Sequence, residues 1–571
     1  MKRLILIILI PFLLLAQDKQ SALNSINSDD IYNSLKFLAS DSLKGRAAGS
    51  DENIIAAMFI ANKFKEYGLK PLIKRDNFKL PVLEDEDDRS NNFEVSAASF
   101  YNEYFQRFSF EKTKLTENNN LSVIGLSENS EYSKSYTFGV DYFIQYYGSA
   151  SLNANAPIVF VGYGITKGVN GYNDYLDSTG KEIDVKGKIV VLVDGYPQQR
   201  DTASIFSKDR NPQYRNPLRK ADAALEKGAL GVILISSPLM VDPQIQVKYE
   251  RLSKAFLKSS DHLLEQPKKS LPIIYVSRNV VSDIFEGTGF KLKDFLEKLE
   301  KSLKPGAFTF KNKKMAFSVN IKNELVNTQN VVGFLEGTDP VLKNEVVVIG
   351  AHYDHVGLGY YGAMDPKSVG QIHNGADDNG SGTSGILELA EAFSKNPPKR
   401  SILFTAFTAE ENGLIGSKYY VYEQPLVPLD KTVAMINLDM ISRNNEKMLW
   451  VGGAFYSDDL RMVVEEANKE VGFELFYNVG LLINASDQAP FLKRKIPVLF
   501  FFAGDHEDYH TPKDDIEKVS TEKASNVTKL AFLTADIIAN RIQKPLYKEL
   551  SLDERAKLVK ESSNRQKQFT K

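Results

Sequence analysis

Histidine is rare in this chain, and most of it lies in two short stretches. Five of the six histidines are His352, His355, His373, His506 and His510. The first stretch follows the unbroken apolar run Val346 to Ile349, which is typical of a strand buried on both faces of a parallel sheet. Open α/β sheets bind ligands beyond the carboxyl ends of their strands, so His352, Asp354 and His355 indicate a functional site.

Three further apolar runs also end in side chains that can bind a metal or transfer a proton. Glu410 and Glu411 follow the run FTAFTA, and Asp439 follows MINL. Tyr509 and His510 lie in the loop after VLFFFAG. Asp378 lies in the loop between the first strand and a helix that should begin near Ser381. Because parallel strands end at one edge of a sheet, we expect all of these side chains to converge there.

The donors in this group are histidine nitrogens and carboxylate oxygens, and the chain contains no cysteine. Such donors suit zinc or, with less selectivity, manganese or cobalt. Two histidines and three carboxylates are the right number for two divalent ions about 3.5–4 Å apart that share a bridging carboxylate. Because Glu410 and Glu411 are adjacent, one can bind metal while the other takes a proton from water. Asp354 is placed to accept the second imidazole N–H of His352.

Each motif taken alone also has a structural interpretation. An HxD sequence in a loop is common without any function, and two adjacent glutamates often begin a solvated helix. The sequence GADDNGSG is compatible with a turn followed by a helix N-cap. The functional interpretation rests on the joint pattern, because all of these groups follow consecutive buried strands of one predicted domain.

Strands and helices alternate beyond residue 305. Helices are predicted over Ser381–Ser394, from Leu414, over Asp459–Val471 and over Thr521–Arg541, with strands between them. This alternation predicts an α/β domain with a mostly parallel central sheet and helices on both faces. Two helices on either side of a glycine-containing turn near residue 45 are expected to belong to the same domain. The sequence FSVNIKNELVNTQNVVGFLEG predicts a hairpin-like pair of strands.

The segment 136–304 has a different pattern. It contains four short β-like runs and two predicted helices, Asn216–Lys227 and Lys291–Leu303, and it lacks a cluster of histidines and carboxylates. We predict an inserted mixed α/β domain that acts as a lid or spacer. The expected division is residues 17–135 for the N-terminal part of the site-bearing domain, 136–304 for the insert, 305–545 for the main part and 546–571 for a charged tail.

The N-terminus has the charged, apolar and small-residue order of a secretory signal peptide, with MKR, the run Leu4 to Leu15 and then Ala16. We predict a signal peptide over residues 1–16 and an exported, periplasmic or secreted protein; the alternative is an uncleaved anchor. A length of 571 residues allows two or three domains, and a net charge of −2 gives no basis for nucleic-acid binding. The acidic run Glu84 to Asp88 is more typical of a solvated loop than of a cation site.

Together, several motifs resemble those of the co-catalytic zinc aminopeptidase family, which includes bacterial leucyl aminopeptidases, glutamate carboxypeptidase and the transferrin receptor ectodomain. The motifs are AHYDH, NGADDNGSGTSG, FTAEENGLIGS, INLDMIS and HEDYHTP. The resemblance covers residues 305–545 and, more loosely, the LASDSLKGRAAGS region. It implies a zinc exopeptidase-like fold, and the middle segment resembles the protease-associated domain that some members carry as an insert.

The resemblance also implies a role for each candidate residue. Two zinc ions would be held by His352 and Asp439 at one ion, Glu411 and His510 at the other, and Asp378 as the bridge. Glu410 would be the general base and acid, and Tyr509 would donate a hydrogen bond to the tetrahedral oxyanion. The family often has a cis peptide bond after the bridging aspartate, which here would join Asp378 to Asn379.

These roles indicate an aminopeptidase that removes N-terminal residues from a peptide substrate. A carboxypeptidase on the same scaffold is the nearest alternative, and it would need a cationic clamp for the substrate carboxylate. A glutaminyl cyclase would use a single zinc, and a receptor-like protein without catalysis should have lost ligands. We expect no nucleic-acid partner and no stable membrane anchor after signal cleavage, while the oligomeric state stays open.

Overall fold

The computed structural model describes residues 19–73, 103–116, 118–126, 130–146, 148, 150–209, 211–239, 260–263 and 270–569. The signal peptide predicted over 1–16 and the acidic run Glu84 to Asp88 lie outside these residues. Within the described ranges, every helix is too short or too polar to cross a lipid bilayer.

The chain forms two compact units, and the second interrupts the first. Unit 1 consists of Met1–Phe110 and Val326–Lys571, and unit 2 is Glu111–Leu325. Unit 2 is wider than the expected insert of 136–304 because two flanking strands, Asn120–Leu126 and Phe308–Val319, pair with each other and belong to its sheet. Residues 305–325 therefore do not belong to the site-bearing unit.

The same pairing contradicts the predicted hairpin. The strands Phe308–Val319 and Ile321–Leu335 are consecutive in the chain, but they are not neighbours in a sheet. The first pairs within unit 2, and the second pairs with Ser401–Phe407 in unit 1. Two adjacent β-like runs predict two strands, but they do not predict that the two strands pair with each other. Here each strand pairs within a different sheet.

The sheet of unit 1 carries the candidate site, and its strands and helices are numbered here in chain order. The strands are β1 (Phe105–Leu115), β2 (Ile321–Leu335), β3 (Val346–His352), β4 (Ser401–Phe407), β5 (Thr432–Leu438), β6 (Met448–Gly452), β7 (Glu474–Phe476) and β8 (Val498–Phe502). These eight strands follow the order β7, β6, β8, β5, β3, β4, β2, β1 across the sheet, and the short strand Ser260–Leu263 is the ninth, next to β1. Strand β3 is parallel to β4 and β5, and β5 is parallel to β8.

Alternate residues of the central strands pack into two separate hydrophobic cores. In β3, Val347, Ile349 and Ala351 belong to one core, whereas Val346 and Val348 belong to the other. Successive side chains of a strand point to opposite faces, so the unbroken apolar run supplies both cores at once. The α/β fold class predicted from the alternation is confirmed.

Helices contribute residues to both cores of unit 1. The described helices of this unit are α1 (Ser28–Leu38), α2 (Asp51–Glu66), α3 (Gly382–Lys395), α4 (Ile415–Lys418), α5 (Asp458–Val471), α6 (Gln488–Lys493), α7 (Thr521–Asn540) and α8 (Leu552–Phe569). The first core contains residues of α1, α2, α3, α5 and α7, and the second contains residues of α6. Side-chain caps fix several helix starts; for example, Asn27 accepts hydrogen bonds from the backbone N–H groups of Asp29 and Asp30.

The predicted helices agree closely with α3, α5 and α7, but five elements of unit 1 were not predicted. These are the strands β1, β6 and β7, the short helix α6, and the helix α8 in the charged tail. In α8, the backbone carbonyl of Leu558 accepts a hydrogen bond from the Asn478 side chain at 2.9 Å. The tail is therefore a packed part of unit 1 at that contact.

Unit 2 is a mixed α/β structure with its own sheet. The strands, in order across the sheet, are Glu131–Tyr136, Asn120–Leu126, Phe308–Val319, Leu152–Phe160, Ile189–Val193, Gly231–Ile235, Ile273–Val276 and Tyr142–Gln145. The helices are Ile205–Asp209, Pro212–Arg215, Pro217–Glu226, Arg278–Phe285 and Leu292–Ser302. Its central strands from Leu152–Phe160 to Ile273–Val276 pair in parallel and separate two hydrophobic cores.

Truncating a core residue of β3 should destabilise unit 1. Ile349 is fully buried, so Ile349→Ala should lower the free energy of unfolding by about 2–5 kcal/mol. Trp450 is the only tryptophan and lies in β6, so its fluorescence during urea unfolding reports on unit 1. The control is Ile55→Ala on α2, where the side chain is 42% exposed and the change should stay within about 0.5 kcal/mol. Equal losses in both variants would contradict the assignment of this core.

Candidate metal centre

The four strands β3, β4, β5 and β8 present the candidate residues at one edge of the unit 1 sheet. The strands lie side by side in parallel, with His352 opposite Phe407 and Gly350 opposite Asn437. Their carboxyl ends therefore meet at the same edge. His352 is the last residue of β3 and Asp439 directly follows β5, so the sheet itself places these two side chains.

One cluster of possible metal ligands consists of His352, Glu410 and Asp439, all buried. Nε2 of His352 lies 3.3 Å from Oδ1 of Asp439. Nδ1 of His352 lies 3.2 Å from the backbone oxygen of Asp354 and 3.8 Å from its carboxylate. The imidazole is thus oriented by the backbone carbonyl of Asp354, whereas we expected its carboxylate. That carboxylate instead accepts the backbone N–H of Glu410 at 3.2 Å.

The second cluster consists of His355, Asp378, Glu411 and His510. Nε2 of His510 lies 3.0 Å from Oε2 of Glu411, and Nδ1 of His355 lies 2.9 Å from Oε1 of the same carboxylate. His355 was not among the predicted ligands, although it lies in the same histidine-rich stretch as His352. The two clusters together contain all five predicted ligands and Glu410.

Asp378 lies between the two clusters. Its Oδ1 is 3.3 Å from Nε2 of His352, and its Oδ2 is 3.0 Å from Nε2 of His510. Each carboxylate oxygen thus faces a histidine of a different cluster. A carboxylate in this orientation can bridge two divalent ions.

The loop that presents Asp378 is held by hydrogen bonds to two other segments. Asp514 accepts the backbone N–H groups of Asp377 and Asp378 at 3.1 and 3.0 Å. Asn379 donates to the backbone oxygen of Leu438 at 2.9 Å, which ties the loop to the end of β5. The peptide bond between Asp378 and Asn379 is cis, as the resemblance implied.

The adjacent glutamates have opposite electrostatic environments. Burial, together with the charges of Glu411 and Asp487, raises the pKa of Glu410 well above its ordinary value. Burial also opposes ionisation of Glu411, but the charge and hydrogen bonds of His510 and His355 outweigh it and lower the pKa of Glu411 to about 2. Neighbouring carboxyl groups with pKa values pushed apart are typical of a division between proton transfer and charge stabilisation.

The concentration of carboxylates also affects the histidines. Burial disfavours protonation of His352 and His510, but the charges of Asp439 and Glu411 respectively outweigh it and hold both pKa values well above the ordinary range. The buried Nε2 of His355 makes no hydrogen bond within the described protein. Excess negative charge and an unpaired imidazole nitrogen fit a site for divalent cations, and the donors suit zinc.

Tyr509 lies directly beside this centre. Its ring stacks on the His510 imidazole with 3.8 Å between the ring centroids. Burial raises the pKa of Tyr509, and the charges of Asp378 and Glu411 raise it further. The phenol therefore keeps its proton and can donate a hydrogen bond.

The structure adds three buried residues to which the sequence gave no specific role. These are His355 in the second cluster, Asp514 beneath Asp378, and Asp487, whose charge contributes to the raised pKa of Glu410. Asp514 follows the HTP sequence within four residues of His510, so the proximity in sequence was a usable signal. Asp487 is 48 residues beyond Asp439, and no motif marks it.

Histidines and carboxylates at the carboxyl edge of an α/β sheet are typical of metal-dependent hydrolases. Residues 330–535 match the family model described as peptidase family M28. The matched segment contains both clusters of the metal centre. The match confirms the predicted resemblance to a peptidase family over this segment.

Two curated relatives each match about a third of the chain. Aminopeptidase YwaD of Bacillus subtilis (strain 168) is 34% identical over 206 residues, which are 34% of this chain and 41% of YwaD. Leucine aminopeptidase 2 of Arthroderma otae is 30% identical over 200 residues, which are 34% of this chain and 37% of that protein. The chain therefore spans less than half the length of these relatives.

A solved structure has a similar fold over most of the chain. The aminopeptidase from Aneurinibacillus sp. strain AM-1 has a TM-score of 0.55 and 20% sequence identity, and the likeness covers 93% of this chain and 98% of that one. At this identity the likeness concerns the fold alone, and it agrees with the α/β class.

Zinc uptake by the metal-free protein should release protons at pH 7. His352 and His510 have raised pKa values, and both must lose a proton before they can bind a metal. Titration calorimetry in buffers of different ionisation enthalpy measures this release, and zinc affinity should rise with pH. The protonated histidines should also stabilise the metal-free protein fully below about pH 6.5, with this contribution lost as the pH rises through their raised pKa values. A binding heat that is independent of the buffer would contradict this electrostatic description.

Proposed function

We propose that this chain is an exported two-zinc aminopeptidase that hydrolyses the first peptide bond of peptides with a free N-terminus. The observation that carries the proposal is the position of Asp378, whose two oxygens face His352 and His510 at 3.3 and 3.0 Å. The match of residues 330–535 to peptidase family M28 supports the reaction class. Export rests on the signal peptide predicted over residues 1–16.

In this proposal, the metal centre has two halves. His352 and Asp439 would hold one zinc, His510 and Glu411 would hold the other, and Asp378 would be shared between them. His355 lies close enough to Glu411 to hold that carboxylate in place or to bind the second ion itself. When bound, the two ions would polarise the substrate carbonyl and acidify water.

Glu410 is the proposed general base and acid. Its carboxylate is buried beside His352 and Asp439, and its backbone N–H is held by Asp354 at 3.2 Å. The raised pKa lets this carboxyl accept a proton from the attacking water and return it to the leaving amine. Tyr509 keeps its proton beside His510 and would donate a hydrogen bond to the developing oxyanion.

The electrostatics of the site favour an ammonium group over a carboxylate as the recognised end of the substrate. Negative side chains surround the site, and two nearby cations in the described part of the chain already have hydrogen-bond partners. Arg443 donates to Asp508 at 2.7 Å, and Lys418 donates to the backbone oxygen of Gly413 at 2.7 Å. These contacts support an aminopeptidase over the alternative carboxypeptidase. The relatives YwaD and leucine aminopeptidase 2 carry aminopeptidase names, which support the same choice.

Unit 2 is proposed to be a protease-associated domain that modulates access to the site. In the described part of the chain, no residue of unit 2 belongs to a cluster of possible metal ligands. Its central parallel strands and separate cores also fit an independent domain rather than an extension of the catalytic sheet.

A panel of three classes of compounds should show whether the enzyme recognises the N-terminal or the C-terminal end of its substrate. Aminoacyl-anilides with a free amine should be hydrolysed, their N-acetylated forms should not, and N-blocked dipeptides with a free carboxylate should be inert, because the acidic site binds an ammonium. Release of the aniline is followed by absorbance, with and without a zinc chelator. Hydrolysis of only the N-blocked dipeptides would replace the aminopeptidase by a carboxypeptidase. Cyclisation of N-terminal glutamine without hydrolysis would indicate a glutaminyl cyclase.

The adjacent glutamates should give different results when each is changed to glutamine. Glu410→Gln should lower turnover by about 10²–10⁴-fold with zinc content unchanged, because the amide keeps the shape but cannot accept a proton. Glu411→Gln should lose zinc as well as activity, because it removes a ligand charge. Metal analysis should find about two zinc ions per chain in wild type and Glu410→Gln. Wild-type turnover in Glu410→Gln, or loss of both ions from it, would reverse these assignments.

A further inference from the structure

We propose that Arg46 is a positioning residue for the metal centre, and that its guanidinium ties the two ligand-bearing loops together before any metal binds. Arg46 is fully buried, and its guanidinium donates to four backbone carbonyls. Nε donates to Tyr353 at 2.7 Å, Nη2 to Gly375 at 2.7 Å, and Nη1 to both Leu38, at 2.9 Å, and Asn374. The inference rests on the metal centre proposed above.

These carbonyls belong to three separate segments of unit 1. Tyr353 lies between His352 and Asp354, directly after β3. Asn374 and Gly375 precede the bridging Asp378 by three to four residues, and Leu38 is the last residue of α1. One planar group therefore fixes the loop after β3, the loop before Asp378 and an N-terminal helix relative to one another.

The backbone around Arg46 is also held closely against the ligand loops. A Cβ atom on Gly45 would lie 2.2 Å from the backbone oxygen of His373 and 2.8 Å from Cα of Gly357. Gly357 donates its backbone N–H to the oxygen of Gly45 at 3.2 Å, and the Asn53 side chain donates to the backbone oxygen of Arg46 at 3.1 Å. There is thus no room for the turn to shift without moving the ligand loop.

The charge of Arg46 suits this position. Burial lowers its pKa to about 10, and the charges of Asp378, Asp354, Asp514 and Glu411 oppose that shift. The guanidinium therefore stays ionised at neutral pH and faces a group of buried carboxylates. A permanent cation behind the site reduces the repulsion that would otherwise separate the ligands in the metal-free protein.

Arg400 offers a matched control within the same unit. It is also fully buried, and it donates to the carboxylate of Glu345 at 2.8 Å and to the backbone oxygens of Ile538, Arg541 and Ile542. It directly precedes β4, so it lies at the amino ends of the strands. The length of β3 separates that end from His352 by about 20 Å. The change Arg400→Met therefore removes a similar set of hydrogen bonds, none of which involves a loop that carries metal ligands.

The test compares Arg46→Met, Arg46→Lys and Arg400→Met in the full chain. Zinc affinity is measured without substrate, by competition with a chromophoric chelator, after circular dichroism and Trp450 fluorescence have shown that each metal-free variant is folded. Zinc affinity should fall by about 10–100-fold in both Arg46 variants, as is usual for residues that orient metal ligands. Lysine should not substitute, because its compact ammonium cannot reach three segments at once. Arg400→Met should lower stability but leave zinc affinity at the wild-type value.

Three results would overturn the proposal. They are wild-type zinc affinity in Arg46→Met, wild-type affinity in Arg46→Lys, and an equal loss of affinity in Arg400→Met. If Arg46→Met does not fold, the lysine variant decides the question by itself. Because the measurement uses zinc alone, it is independent of the peptidase proposal, which would fail separately if the wild type cleaved no aminoacyl-anilide.

Discussion

An ionised carboxylate buried in a protein costs several kilocalories per mole unless a partner charge or hydrogen bonds compensate it. At the carboxyl edge of the unit 1 sheet, Asp354, Asp378, Asp439 and Asp487 are buried close to Glu410 and Glu411. Protonated histidines, the buried Arg46 and backbone N–H groups offset this charge in part. The carboxylate charges still raise the pKa values of His352 and His510 against the effect of burial, so negative charge remains in excess at this edge and bound divalent cations would offset it.

The parallel arrangement of strands explains why so many polar groups can share one edge. Strands β3, β4, β5 and β8 supply apolar side chains to two cores along their length and become polar only where they end. The polar residues thus lie where the backbone leaves the sheet and where loop residues can be oriented individually. Asp514, Asn379 and Arg46 then fix these loops through hydrogen bonds to their backbone. The sheet sets the approximate position of each ligand, and the loop contacts set its orientation.

Unit 2 shows how an insertion can leave this arrangement intact. It begins and ends within two long strands, β1 and β2, rather than within the loops that carry the ligands. Eight of its described strands form a sheet of their own, and its two hydrophobic cores contain no residue of the ligand-bearing loops. An inserted domain of this kind can vary in size without altering the spacing of the metal ligands.

Much of the fold and the site followed from the sequence, because both depend on local patterns. Apolar runs that end in His352, Glu411 and Asp439 indicated buried parallel strands and a site at their carboxyl ends, and helical spacing located α3, α5 and α7 to within about two residues.

Tertiary structure decided the features that depend on partners distant in the chain. The partner of Phe308–Val319 could not be read from its own residues, because a strand pairs with whichever edge the fold presents. Asp487 and Arg46 join the site through contacts that span as many as 329 residues, and their sequence neighbours do not distinguish them from structural residues. His355 lies in a stretch that the sequence marked as a site, but its place beside Glu411 was not predicted. The sequence by itself thus determined which residue types stand at the strand ends. Only the tertiary structure decided which buried groups lie next to these residues, because charges and hydrogen bonds act between groups that are close in space and not necessarily close in sequence.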